Sequence, residues 1–134
     1  MIRSARWTRH HPALRAYGSD ESWSWAEYAD AVRRRATGLA ALGLARGDTI
    51  GFLLANRPAF NLTDTAAMHL GATCWSIYAT SAPEQMEQML RNASSRIVVT
   101  ERALVARLLA VRGRVPCLEH IVLVDGPSEA GLIS

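Results

Sequence analysis

Apolar residues return in two rhythms along this chain. Between Ser24 and Gly43 they recur every three or four positions, at Ala29, Val32, Ala36, Leu39, Ala40 and Gly43, the spacing of one helical face. From Thr49 to Ala55 they run almost without a break, which suits a strand covered on both sides, as parallel strands are. The join between the two is chemically explicit. Gly43 fits the left-handed position just past a helix, with Leu44 placed to fold back on the last turn. Gly47-Asp48 is turn chemistry. Asn56-Arg57-Pro58 then stops the strand and opens a second helix, because proline's missing N–H would be unpaired in a first turn anyway. The stretch Gly43 to Pro58 therefore predicts helix stop, loop, buried strand and helix start.

The same reading extends both ways. Residues 1–22 predict an irregular lead-in with a short extended piece around Leu14 to Tyr17. Ser24 and Glu27 have capping-box spacing and start the first helix. The helix from Pro58 to Leu70 carries a polar stripe of Arg57, Asn61, Asp64 and Thr65. The rest of its circumference is apolar, an arc wide enough to require more than one neighbour. Gly71 ends it, and Ala72 to Tyr78 follows as a strand. Ser81 and Glu84 repeat the capping-box spacing before a third helix with Met86, Met89, Leu90 and Ala93 on one face. Ile97 to Val99 is a short buried strand. Thr100 is expected to cap a fourth helix with Leu104, Val105, Leu108 and Leu109 inward and Gly113 as its stop. His120 to Val124 is the last strand, Asp125-Gly126-Pro127 turns away from it, and Gly131 to Ser134 have no evident partner. Four short apolar strands separated by helices predict an α/β fold: a partial doubly wound parallel sheet with right-handed crossovers and helices on both faces.

Composition narrows the chemistry. The chain has 134 residues, enough for one core, and a formal net charge of +3. All of its 15 basic residues are arginine. Without lysine there is no Schiff base, no phosphate-loop lysine and no lysine general base. Arg33-Arg34-Arg35 spans too wide an arc for a nucleic-acid stripe and reads as a solvated face whose long stems cover apolar surface. Cys74 and Cys117, with no secretory leader, read as reduced thiols of a cytoplasmic protein. The longest uncharged run, Thr65 to Pro83 apart from its histidine, lacks the apolar density of a membrane span.

Candidate chemical groups are few. Cys117-Leu118-Glu119-His120 packs three potential metal ligands into four residues, but on an entering strand they point in different directions. Cys74, His69, His10 and His11 are scattered, so no metal site is expected. Neither cysteine has a nearby base that would make it a nucleophile. Asp20-Glu21 reads as a solvated turn. Asp125 is the one acid at a strand end, where α/β ligand sites lie, with a turn-forming role before Gly126-Pro127 as the simpler account. A nucleotide-binding glycine loop should follow the first strand, but Ala55-Asn56-Arg57-Pro58 stands there. On these grounds no catalytic, cofactor-binding or metal-binding residue is assigned.

The order and spacing of several segments do carry a resemblance. The helix ending GLAALGLARGD, the apolar strand and NRPAF resemble the N-terminal region of the adenylate-forming, AMP-binding acyl-CoA synthetases. So do His69-Leu70-Gly71-Ala72, Ser76-Ile77-Tyr78, Pro83-Glu84-Gln85 and Ile97-Val98-Val99-Thr100-Glu101. The likeness covers roughly residues 12–126, and the wording from Ile77 to Gln85 is most similar to the long-chain fatty-acid–CoA ligases. The resemblance implies residues 23–126 as the α/β N-terminal subdomain of a larger adenylate-forming fold, with 127–134 a tail at a truncation point. For the parent enzyme it implies ATP, magnesium and coenzyme A, and conversion of a carboxylate to an acyl adenylate and then an acyl-CoA. The family's Ser/Thr- and Gly-rich loop closed by lysine, its later acidic motif and its C-terminal catalytic lysine have no counterpart here. Tyr78-Ala79-Thr80-Ser81 is only superficially similar to the phosphate loop, since Ala82-Pro83-Glu84 follows. The expectation is a fragment inactive alone, partnered by a separate C-terminal remainder or by itself. The competing class is a non-catalytic interaction or binding module derived from the same fold.

Overall fold

The computed structural model describes residues 8–126 and 132–133. A short antiparallel hairpin, β1 (Pro12–Arg15) and β2 (Ser22–Ser24), leads into α1 (Trp25–Ala41). Then come β3 (Thr49–Leu53), α2 (Pro58–His69), β4 (Thr73–Ser76), α3 (Pro83–Ala93), β5 (Ile97–Thr100), α4 (Val105–Arg112) and β6 (His120–Leu123). The four longer-range strands form one parallel sheet in the order β4-β3-β5-β6. The predicted α/β architecture with a four-stranded parallel sheet is what the chain adopts.

Alternation along the strands divides the interior in two. Ile50, Phe52, Ile97 and Val99 face α1 and α2, together with Tyr28, Val32, Leu39, Leu62 and Ala66. Leu53, Val98, Ile121 and Leu123 face α3 and α4, together with Met86, Leu90, Leu108 and Val111. The chain steps from β3 outward to β4, then back past β3 to β5 and on to β6. A constant crossover hand then requires α2 on one face and α3 with α4 on the other, as found.

The first helix begins and ends as its sequence dictates. The Ser24 and Glu27 side chains accept from each other's backbone N–H, at 3.3 and 2.8 Å. At the other end Gly43 has φ +88°, and the Leu44 and Gly43 N–H groups return to Leu39 and Ala40 carbonyls at 3.0 and 2.9 Å. This double closure satisfies two orphan carbonyls and needs a residue tolerant of positive φ. The buried face is turned slightly from the predicted one. Tyr28 and Ala31 are buried with Val32 and Leu39, whereas Ala40 is exposed. Tyr28 explains the turn: its hydroxyl donates to Asn61 Oδ1 at 2.7 Å and meets the Thr65 hydroxyl at 2.8 Å. Half of the predicted polar stripe of α2 thus lies against α1 instead of water.

Several local expectations are corrected. The lead-in is not wholly irregular, since β1 and β2 pair across it, the extended piece lying at Pro12–Arg15. The third helix is capped one residue later than its spacing suggested: Ala82 occupies the cap position and its N–H donates to Gln85 Oε1 at 3.1 Å. Thr100 does not cap α4; it ends β5, and its buried hydroxyl donates to the Leu53 carbonyl at 2.8 Å, stitching β5 to β3. On α4, Leu109 points outward and Val111 takes the inner position. Of the tail, Leu132 is buried and Ile133 pairs with the outer edge of β6: Leu123 N–H donates to its carbonyl at 2.6 Å and its own N–H donates to Ile121 at 3.0 Å. Pro127, Gly131 and Ser134 lie outside the described residues.

Candidate functional site at the carboxyl edge of the sheet

Strands β3 and β5 are neighbours, yet the chain leaves them toward opposite faces, into α2 and into α4. Such a divergence opens a crevice at the carboxyl ends of the strands, the usual ligand position in open α/β sheets. Three loops reach it. Arg57 precedes α2 in extended conformation, Glu101 follows β5 directly and Asp125 lies just beyond β6.

These side chains engage one another. Arg57 Nη1 donates to Glu101 Oε2 at 3.1 Å and to Asp125 Oδ2 at 3.5 Å. The other Asp125 oxygen accepts the Arg102 N–H at 2.8 Å. The Arg102 side chain lies against Gly126. The hydrogen bond from Arg57 to Glu101, then the two carboxylate charges, hold the Arg57 guanidinium above its ordinary pKa. Glu101 is only 8% exposed, so this ion pair is partly withdrawn from water while Arg57 stays largely solvated. The cluster ties the ends of three strands together. The Arg57 guanidinium is held between two carboxylates and is not free for a triphosphate. The loop after β3 holds no glycine, and Pro58 at the head of α2 offers no N–H. The donor set of this crevice therefore does not fit a magnesium–nucleotide triphosphate.

Asp125 stands just past the last strand, in the bend at Gly126. Sequence reasoning missed Arg57 and Glu101 as its partners. The available signal was that each charged residue sits just past a buried apolar run, and the carboxyl ends of parallel strands share one edge.

The remaining candidates are dispersed. Glu119 pairs with Arg96 at 2.9 Å, and that hydrogen bond holds its carboxyl below the ordinary value. Cys117 Sγ faces the Leu90 carbonyl at 3.9 Å, and His69 Nδ1 lies 2.8 Å from the Thr65 carbonyl. His10 and His11 are exposed in the lead-in, and Asp20-Glu21 lies in the β1–β2 turn. Among the described residues no three His, Cys, Asp or Glu side chains form a metal-holding group. In the Tyr78–Ser81 loop the Ser81 carbonyl accepts from Arg107 Nη2 at 2.6 Å, while Tyr78 is exposed. Of the basic triplet, Arg33 and Arg34 are exposed and pair with Asp30, whereas Arg35 is half-buried. No helix among the described residues is long and apolar enough to cross a membrane.

Cys74 is chemically quiet. Burial above all, then a side-chain hydrogen bond with Asp64 and the Asp64 charge, push its thiol up to about 12. Because the folded value lies above the reference 9.0, the fold favours the protonated thiol. That contribution is intact below pH 9 and fades as the pH rises toward 12, where unfolded chains ionise first. Iodoacetamide at pH 8 should modify Cys74 much more slowly in the native protein than in urea. Stability should fall more steeply between pH 9 and 12 in the wild type than in Cys74→Ala. Equal alkylation rates in the two states would refute this account.

Comparison with known proteins places the geometry. The sequence matches the family described as AMP-binding enzyme over residues 2–133. It is 44% identical over 118 residues to the uncharacterized protein Rv1549 of Mycobacterium tuberculosis, covering 88% of this chain and 66% of that protein. It is 32% identical to 4-coumarate–CoA ligase 3 of Oryza sativa, covering 86% of this chain but only 20% of the ligase. The fold superposes on the anthranilate CoA ligase AuaEII, solved with anthranoyl-AMP, with a TM-score of 0.90 at 22% identity, over 98% of this chain and 25% of that one. The chain thus spans about two thirds of one relative and a fifth to a quarter of the ligases. It belongs to the AMP-binding enzyme family, of which it represents an N-terminal region.

Proposed function

We propose that this chain is the N-terminal supporting portion of an AMP-forming CoA ligase and does not adenylate a carboxylate on its own. One observation carries the reading: at the crevice where an α/β sheet offers a nucleotide its place, Arg57 is already committed to Glu101 and Asp125. The phosphate-gripping groups belong to the rest of the ligase fold, in the same polypeptide or a second one, and this portion holds its sheet for them. The acid served is a fatty or aromatic carboxylate. The fatty branch is suggested by the similarity to FadD15 of Mycobacterium bovis, 31% identical over 102 residues, and the aromatic one by the rice ligase.

The purified 134-residue chain should release no pyrophosphate from ATP in the presence of decanoate or 4-coumarate with coenzyme A. Acid-dependent pyrophosphate release that co-migrates with the pure chain would overturn the proposal. The pairing of Ile133 with the edge of β6 favours a second reading, a self-contained non-catalytic module. Sedimentation separates the two: self-association at tens of micromolar fits a supporting portion seeking its remainder, and a compact monomer fits the module.

A further inference from the structure

On the face shared with α1 and α2, the described residues do not cover the sheet to its end. Between α1 and the outer strand β6 runs a groove of about 370 Å³, within the size range of small-molecule sites. Leu39 and Leu42 form one wall, and the half-buried Val122 and Val124 form the floor.

Two features at this groove have no use in the fold as described. The first is Arg35. It is half-buried at the rim, and its described contacts are a long hydrogen bond to the Ala31 carbonyl at 3.4 Å and no carboxylate. Its neighbours Arg33 and Arg34 share Asp30 between them. Burial, with the added charge of Arg34, holds the Arg35 guanidinium below its ordinary pKa, the mark of a cation short of a counter-charge. The second is Gly38. It lies inside a 17-residue helix, where glycine is the least suitable residue other than proline. It has no positive φ and no close neighbour, since a Cβ there would meet nothing within 4 Å. What its missing side chain provides is room in the groove.

An apolar trough whose mouth holds, among the described residues, one cation without a carboxylate partner matches a ligand with an apolar body and one acidic head. We propose that the groove between α1 and β6 binds an amphipathic organic carboxylate, its head group on Arg35 and its apolar body passing Gly38 to lie over Val122 and Val124. The inference rests on these residues alone and is independent of whether the chain serves a ligase.

The test is an amide chemical-shift titration of the full chain with decanoate, with decyltrimethylammonium as a charge-reversed control, both below micelle formation. Saturable decanoate binding is expected, with the largest shifts at Gly38, Leu42, Val122 and Val124, and binding of the cationic control at least tenfold weaker. Arg35→Gln should weaken decanoate by at least tenfold. Gly38→Leu should abolish binding while keeping or raising the melting temperature, which separates a blocked groove from a damaged fold. The proposal is overturned by non-saturable binding, by equal affinity for the cationic control, by shifts centred elsewhere, or by a Gly38→Leu chain that still binds. It is equally overturned if those four amides are protected by self-association in the absence of ligand, since the groove would then belong to a second copy.

Discussion

Leu53→Ala is expected to cost about 2 to 5 kcal/mol of unfolding free energy. Leu53 is fully buried at the end of β3, packed with Ile77, Met86, Leu90 and Val98 on the α3–α4 side of the sheet. The site can collapse little, because β4 and β5 hold β3 on both edges by backbone hydrogen bonds. The neighbouring Leu53 carbonyl is also fixed by the Thr100 hydroxyl. A loss of this size is a large fraction of a typical domain stability of about 5 to 15 kcal/mol. Urea melts with an unchanged slope are the measurement, and a loss below about 1 kcal/mol would show that β3 is not central to the fold.

Gly51→Val should be nearly as damaging by the opposite mechanism, overfilling instead of emptying. Gly51 pairs in register with Trp75 on one side and Val98 on the other. A Cβ on it would stand 3.1 Å from Trp75 Cζ2 and 3.3 Å from Val98 Cγ2. The indole cannot readily give way, because its Nε1–H donates to Ser95 Oγ at 2.8 Å and the Ser95 hydroxyl is in turn 2.7 Å from that of Thr49. Overpacking of this kind costs about 1 to 3 kcal/mol. The variant should show lowered stability together with altered tryptophan fluorescence in the native state. A loss within about 0.5 kcal/mol and an unchanged spectrum would mean the ring is free to move.

These two positions also show what the sequence could and could not convey. The apolar run at Thr49 to Ala55 identified a doubly covered strand, but nothing local told that Gly51 leaves room for a tryptophan 24 positions later. The Ser24–Glu27 box and the Gly43 stop were legible because each is closed within a few residues. The second box failed because Ser81 and Ala82 offer competing starts, and the proline after them places Gln85, not Glu84, at the reciprocal position. The β1–β2 hairpin escaped because its strands of four and three residues are too short to show alternation. The carboxyl-edge cluster joins Arg57 to partners 44 and 68 residues away, and only the strand order brings them together.

The division of the interior into two cores has a consequence for how the molecule comes apart. Strands β3 and β5 send alternate side chains into both: Ile50 and Phe52 to one side and Leu53 to the other, Ile97 and Val99 to one side and Val98 to the other. Neither helical layer can lift away without stripping cover from the same two strands. Local openings should therefore be confined to the hairpin and the outer edges. The two layers share one cooperative unit, in which hydrogen exchange at the centre of β3 and β5 reports the unfolding of the whole sheet.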